Sequence, residues 1–162
     1  MIKIHIPGTP QGKGRARAFK TRSGTIGHYT PDKTKTYEGM IRLQAMHAMR
    51  SVTPCDAPVS LVLTIVMPIP DSWPAWKREL AESGKLLPTV KPDADNVEKA
   101  VKDALNGVVW RDDAQVVICN KSKIYECTHF AVGVHVEAFS LGQLPAQIKR
   151  KPENTDELLS NH

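Results

Sequence analysis

The chain has few cysteines, no long apolar run, and no acidic residue between Gly8 and Pro31. Each shortage excludes something. Cys55, Cys119 and Cys127 are odd in number and have no paired spacing. They argue against a disulfide framework or a zinc site and for free thiols in a reducing cytoplasm. The longest apolar stretch, Val59 to Ile69, is interrupted by Ser60 and Thr64 and is too short to span a bilayer. At the N-terminus Ile2, Ile4 and Ile6 alternate with Lys3 and His5, which reads as a strand and not as a signal peptide. His5, His28, His47, His129, His135 and His162 show no metal-ligand spacing. Gly12-Lys13-Gly14 lacks the following Ser or Thr of a Walker loop. No Ser-His-Asp set can be argued from the order of residues.

What is present is ordinary in amount and uneven in placement. The 162 residues suit one domain, and 41% hydrophobic with 24% charged residues is enough to bury a core. The net charge is +5, and much of it sits at Lys13, Arg15, Arg17, Lys20 and Arg22. Glycines and prolines punctuate this segment, so it reads as a flexible basic loop. Clustered cations without acids are a phosphate-contacting pattern. The competing reading is a solvated loop that is basic by chance. Lys149-Arg150-Lys151 is a weaker cluster that reads as solvated.

The pattern predicts a strand over 1–7 and a helix over about 32–50, with Thr30 as its cap and Met40, Met46 and Met49 packed in the core. A buried strand follows at Val59–Met67, then a short helix capped by Asp71-Ser72 and closing near Gly84, with Trp73 and Trp76 packed inward. Val97, Ala100, Val101, Ala104, Leu105 and Val108 form one helical stripe that stops at Gly107. Val116–Tyr125 and His129–Phe139 read as strands paired with each other. The expected fold is α+β, a single domain over 1–140 with a mixed β-sheet and flanking helices. A polar tail, 141–162, follows and is expected to be disordered from Lys149.

The acids in "KPDADNVEKAVKDALNGVVWRDDAQV" (91–116) allow two readings. In the first they are structural. Asp95 caps the helix, Glu98 completes a capping box, and Asp93 is an acid near a positive helix end. Lys99, four residues from both Asp95 and Asp103, pairs along the helix face, and Asp112-Asp113 belong to a turn. In the second they are functional. Magnesium takes hard oxygen ligands and keeps several waters, so one to three carboxylates suffice. Phosphodiester hydrolysis needs a nucleophilic water, charge stabilisation at phosphorus and help for the leaving oxygen, all of which bound metal supplies. Two carboxylates at a helix start and one at a strand start meet if the helix packs beside that strand. Lys99, one turn into the helix, then supplies positive charge at the scissile phosphate. Spacing alone leaves both open.

The same run resembles the core motif of RusA-like Holliday junction resolvases, the endodeoxyribonucleases of bacteria and phages. The matching elements are Pro92-Asp93-x-Asp95-Asn96, Lys99-Ala100, Asp103-Ala104-Leu105-Asn106-Gly107 and Trp110-x-Asp112-Asp113-x-Gln115. "IPGTPQGKGRARAF" and "HYTPDKTKTYE" resemble that family's opening, so the likeness covers roughly 1–137. It implies a RusA-like fold, with catalytic acids at Asp93, Asp95 and Asp113 as magnesium ligands and the catalytic lysine at Lys99. Manganese is the substitute metal. Asp112 is not assigned as a ligand, and Asn96 and Asp103 are assigned to holding the helix. The resemblance further implies a homodimer that nicks a DNA four-way junction in pairs, in the cytoplasm of a bacterial or phage-infected cell.

The expectation is therefore a magnesium-dependent, structure-selective endonuclease in recombination and repair. Lys13, Arg15, Arg17, Lys20 and Arg22 would grip DNA backbone, which carries little sequence information. Two rivals stand beside it. One is a non-catalytic, junction-binding architectural protein, against which the presence of every expected acid and the lysine argues. The other is a magnesium phosphohydrolase acting on nucleotides, to which a basic segment suited to a long polyanion is ill matched.

Overall fold

The computed structural model describes residues 1–14, 17–50 and 52–142. Among them run β1 (Ile2–Pro7), β2 (Arg17–Lys20), β3 (Ile26–Tyr29), α1 (Asp32–Met49), β4 (Val59–Met67), α2 (Ala75–Glu82), α3 (Ala94–Leu105), β5 (Val116–Tyr125) and β6 (Gly133–Ser140). The expected tail falls outside the described residues from 143 onward. Among the described residues no helix is long and apolar enough to cross a membrane.

The main sheet has the order β1-β6-β4-β5, and β2 and β3 form a separate ribbon. β4 lies parallel to β5 and antiparallel to β6, so the sheet is mixed as expected. A parallel pair needs a crossover, and α2 and α3 supply it between β4 and β5. β4 is central, which suits its nearly unbroken apolar run. Its Leu63 and Ile65 lie beside Val136 and Val134 of β6, which in turn face Ile4 and Ile6 of β1. These rows pack under α1 and α3 through Ile41, Ala45, Val97, Ala100, Val101 and Leu105. Lys3 pairs with Glu137 at 2.9 Å, and the rings of His5 and His135 stack at 4.3 Å.

The strand pairing differs from expectation. β6 does not pair with β5; it inserts between β1 and β4. β6 buries Val134, Val136 and Ala138, whereas β5 exposes Asn120, Lys121 and Ser122 and therefore belongs at an edge. The link from β5 to β6 crosses the end of β4, where the Glu126 amide donates to Met67 O at 2.9 Å and the Ile69 amide donates to Glu126 Oε1 at 2.8 Å.

Helix details also depart from the sequence reading. The buried stripe of α1 is Thr34, Tyr37, Ile41, Ala45 and Met49, while Leu43 and Met46 are exposed. Met46 therefore does not pack in the core; it lies off the stripe that the sheet selects. α1 begins after Pro31 with no side-chain cap from Thr30, and α2 begins after Pro74, not at Asp71-Ser72. Trp73 packs edge-on against Tyr125, with centroids 5.3 Å apart. Trp76 is instead 63% exposed, because the single buried residue of so short a helix is Ala81.

The basic segment is not a free loop. The Lys13 amide donates to Asn96 O at 2.8 Å, and the Gly14 amide donates to Thr34 Oγ1 at 3.2 Å. Residues 12–14 are thereby fastened to α3 and α1 before the chain enters the β2–β3 ribbon. A Cβ at Gly12 would stand 2.8 Å from Asn96 Cβ and 3.3 Å from Pro92 Cβ, so only glycine fits against α3.

Two glycine substitutions test this packing in opposite directions. Gly12→Ala overpacks the contact and is expected to cost about 1–3 kcal/mol. Gly39→Ala, mid-helix with nothing within 4 Å of the new methyl, is expected to stabilise by about 0.5–1 kcal/mol. Urea midpoints moving the same way for both would contradict the packing described.

Candidate active site

α3 hides one stripe of its surface and turns its charges the other way. With Val97, Ala100, Val101, Ala104 and Leu105 buried, helical spacing brings Asp95, Glu98, Lys99, Lys102 and Asp103 onto the remaining face. Asp113, just before β5, and Lys121, within it, meet these side chains. Together the seven line one open concavity. Of the expected catalytic residues it gathers Asp95, Lys99 and Asp113. Asp93 is outside this lining; it is exposed at the N-cap position, and its Oδ2 accepts from Asn96 Nδ2 at 3.4 Å.

The structural reading of the acids fails at the helix. Asp95 is not the N-cap; it lies in the first turn, and no side chain caps α3. Glu98 consequently has no capping box to complete. Nor does Lys99 pair along the helix. Asp95 pairs with Lys121, Asp103 with Lys13, and Glu98 with Lys121 at 2.6 Å and Lys102 at 3.7 Å. Each acid that would take Lys99 has another cation, and the Lys99 ammonium makes no ion pair among the described residues.

The second acidic pair divides its labour. Asp112 is the turn residue: its Oδ1 accepts from the Ala114 amide at 2.8 Å in a capping box with Gln115. Gln115 Oε1 accepts from the Arg111 and Asp112 amides, both at 2.9 Å, and its Nε2 donates to Cys55 O and Ala57 O, both at 3.0 Å. All four hydrogen-bonding positions of the amide are used. The turn is thus tied to the segment before β4, next to the fully buried Trp110. The Asp113 carboxylate is left over: the residue's backbone O accepts from the Val116 amide, but its side chain accepts no hydrogen bond among the described residues and lines the concavity.

The chain matches the family model of endodeoxyribonuclease RusA over residues 7–137. It belongs to the RusA family. It is also 40% identical over 126 residues to the uncharacterized protein YqaN of Bacillus subtilis (strain 168), a match spanning 76% of this chain and 87% of that protein. The RusA family is one of endodeoxyribonucleases, and the α+β fold with its mixed sheet agrees with it.

Several members of the site were not anticipated. By its sequence position Glu98 reads as part of a cap, and no local motif marks Lys102 or Lys121. The available signal was the two-residue period of β5, which puts Cys119, Lys121 and Lys123 on one face. Only the packing shows that this face meets α3. Lys123 donates to Val90 O at 2.7 Å and Pro92 O at 3.2 Å, holding the segment that delivers Asp93.

Of the expected DNA contacts, Lys13 lies between α1 and α3. It pairs with Asp103 and, at 3.5 Å, with Glu38. Burial disfavours its charge, but these two carboxylates outweigh that and raise its pKa above the ordinary value. Its charge is therefore already balanced within the protein. Lys20 and Arg22 are exposed on the ribbon. Arg17 starts β2, and Arg15 lies outside the described residues.

The electrostatics on the β5 side of the concavity follow from Lys121. Its hydrogen bonds to Asp95 and Glu98 outweigh desolvation and raise its pKa. Burial pushes Glu98 up, but Lys121, Cys119 and Lys102 together hold it below the usual carboxylate range. Cys119, half-buried beside that carboxylate, is pushed up from 9.0 to about 11 by burial and by Glu98.

A thiol so placed is a poor nucleophile near neutral pH. At pH 8 the thiolate fraction of Cys119 should be on the order of 100-fold below that of an unperturbed thiol. Iodoacetamide labelling followed by peptide mass spectrometry should find Cys119 protected in the native protein, and more reactive in Glu98→Gln. Equal labelling rates in native and urea-unfolded protein would contradict this arrangement.

Proposed function

We propose that this RusA-family chain resolves four-way DNA junctions by paired nicks, acting as a homodimer with a divalent metal, magnesium or in its place manganese. The observation that carries the reading is the uncommitted Lys99 ammonium in a concavity lined by Asp95 and Asp113, with Asp95, Glu98, Lys102, Asp103 and Lys121 in ion pairs that do not include it and only Asp113 left unpaired beside it among the described residues. A cation kept free among carboxylates is suited to an incoming anion, here the scissile phosphate.

The donor set suits such a metal in kind. It consists of carboxylate oxygens, the hard ligands that magnesium prefers. Among the described residues no three acidic, His or Cys side chains stand ready as a metal cluster. Asp93, Asp95 and Asp113 are assigned as the holders of the ion. When bound, it supplies a nucleophilic hydroxide and charge neutralisation at phosphorus. The chain's own groups do the rest. The Asp113 carboxylate, which accepts no hydrogen bond among the described residues, is available to orient the attacking water. Lys99 meets the non-bridging oxygens as their charge grows. The exposed cations of the β2–β3 ribbon, Lys20 and Arg22, hold backbone phosphates. Contacts of that kind select branched shape over sequence.

The test is cleavage of a labelled mobile four-way junction with magnesium or manganese, beside linear duplex and free nucleotide. Wild type should nick the junction symmetrically and leave the other substrates largely intact. Asp95→Asn should bind the junction but not cut it. Lys99→Ala should lower the rate by about 10²–10³. Tight junction binding without cleavage in any metal would instead identify an architectural protein, and nucleotide hydrolysis a phosphohydrolase.

Binding has its own signature. The double change Lys20→Ala and Arg22→Ala should weaken junction and duplex binding alike and flatten the logarithmic salt dependence by about two phosphate contacts. An unchanged salt slope would remove the ribbon from the DNA interface.

A further inference from the structure

The ammonium of Lys121 lies between two carboxylates that differ sharply in exposure. Glu98 is held firmly: its side chain is 17% exposed and is also reached by Lys102 at 3.7 Å. The Asp95 side chain is 84% exposed. It sits in the first turn of α3 and, among the described residues, pairs with Lys121 alone. The Glu98 contact at 2.6 Å therefore anchors Lys121 to the body of the protein, and the Asp95 contact is the exposed end of the bridge. Lys121 also stands on an edge strand, with its side chain 32% exposed, so among the described residues the Asp95 end of the bridge is open to an incoming ion.

We propose that Lys121 is a positioning residue that holds Asp95 in the metal-free protein and competes with the divalent cation for its carboxylate. The inference rests on the assignment of Asp95 as a metal ligand. A carboxylate cannot direct the same oxygens at an ammonium and at a metal ion without sharing its charge between them. Binding the ion must then break or weaken the Asp95–Lys121 pair, while Glu98 retains the ammonium close by. An exposed ion pair is weak and readily exchanged, which is what a loading site requires. Lys121 thus sets how tightly the metal is held, without touching the scissile phosphate.

The experiment is manganese binding to the full chain in the absence of DNA, followed by electron paramagnetic resonance of the free ion. Lys121→Met removes the charge and keeps most of the side-chain length. It should bind Mn²⁺ about three- to tenfold more tightly than wild type. Lys121→Arg restores a cation and should return the affinity toward wild type. Circular dichroism in chelator shows that each variant is folded, and Asp95→Asn tells which premise has failed. If Asp95→Asn weakens Mn²⁺ binding but Lys121→Met leaves it unchanged or weakens it, competition by Lys121 is overturned and the ligand assignment stands. If Asp95→Asn has no effect, the ligand assignment falls and this inference with it.

Discussion

The seating of α3 against the sheet is the constraint on which the rest depends. Five apolar side chains of this twelve-residue helix are buried under β4 and its neighbours. Burying a large aliphatic side chain stabilises by about 1.5–3 kcal/mol, far more than an exposed ion pair contributes. The apolar stripe therefore sets how α3 is rotated about its axis, and the charged residues take the positions that remain. The concavity is a by-product of this rotation and of the parallel β4–β5 crossover, which lays β5 alongside the helix. Gly12 and the backbone bond from Lys13 to Asn96 O then press the N-terminal segment onto the same helix.

Once α3 is seated, the charges sort themselves by reach. Lys13 comes from the N-terminal segment and takes Asp103 and Glu38. Lys121 comes from the edge strand and takes Asp95 and Glu98. These pairings occupy the acids at helical spacing from Lys99. Its isolation is thus a result of long-range packing, although an (i, i+4) rule would have paired it locally. Lys13 shows the same effect in reverse. A residue that looks like a phosphate contact in a basic run is internally neutralised, and the outward cations of that region lie on the ribbon.

The turn before β5 shows how a side-chain amide can set the position of an acid. Gln115 binds two amides of its own turn and two carbonyls before β4. Asp112 closes the turn, and that leaves Asp113 pointing at the helix. Neighbouring residues of the same type therefore have unlike work, decided by which carboxylate the local amides can reach.

Much of this was legible in the order of residues. Ile2–Ile4–Ile6 announce a strand, the Val97–Leu105 stripe a helix and Val59–Met67 a buried strand, because the period of apolar residues reports directly on which face is covered. Gly107, at a φ of +70°, marks the end of α3 as expected. The motif around Asp93, Asp95, Lys99 and Asp113 was likewise enough to point to the RusA family. What sequence could not decide was partnership between distant segments. That β6 lies between β1 and β4, that the basic segment folds into a ribbon, that Met46 and Trp76 face outward, and that Lys121 reaches Asp95 are all set by contacts across tens of residues. Local periodicity determines which side of an element is apolar. Only the competition among all such sides for one core determines what each element is packed against, and so which charges meet.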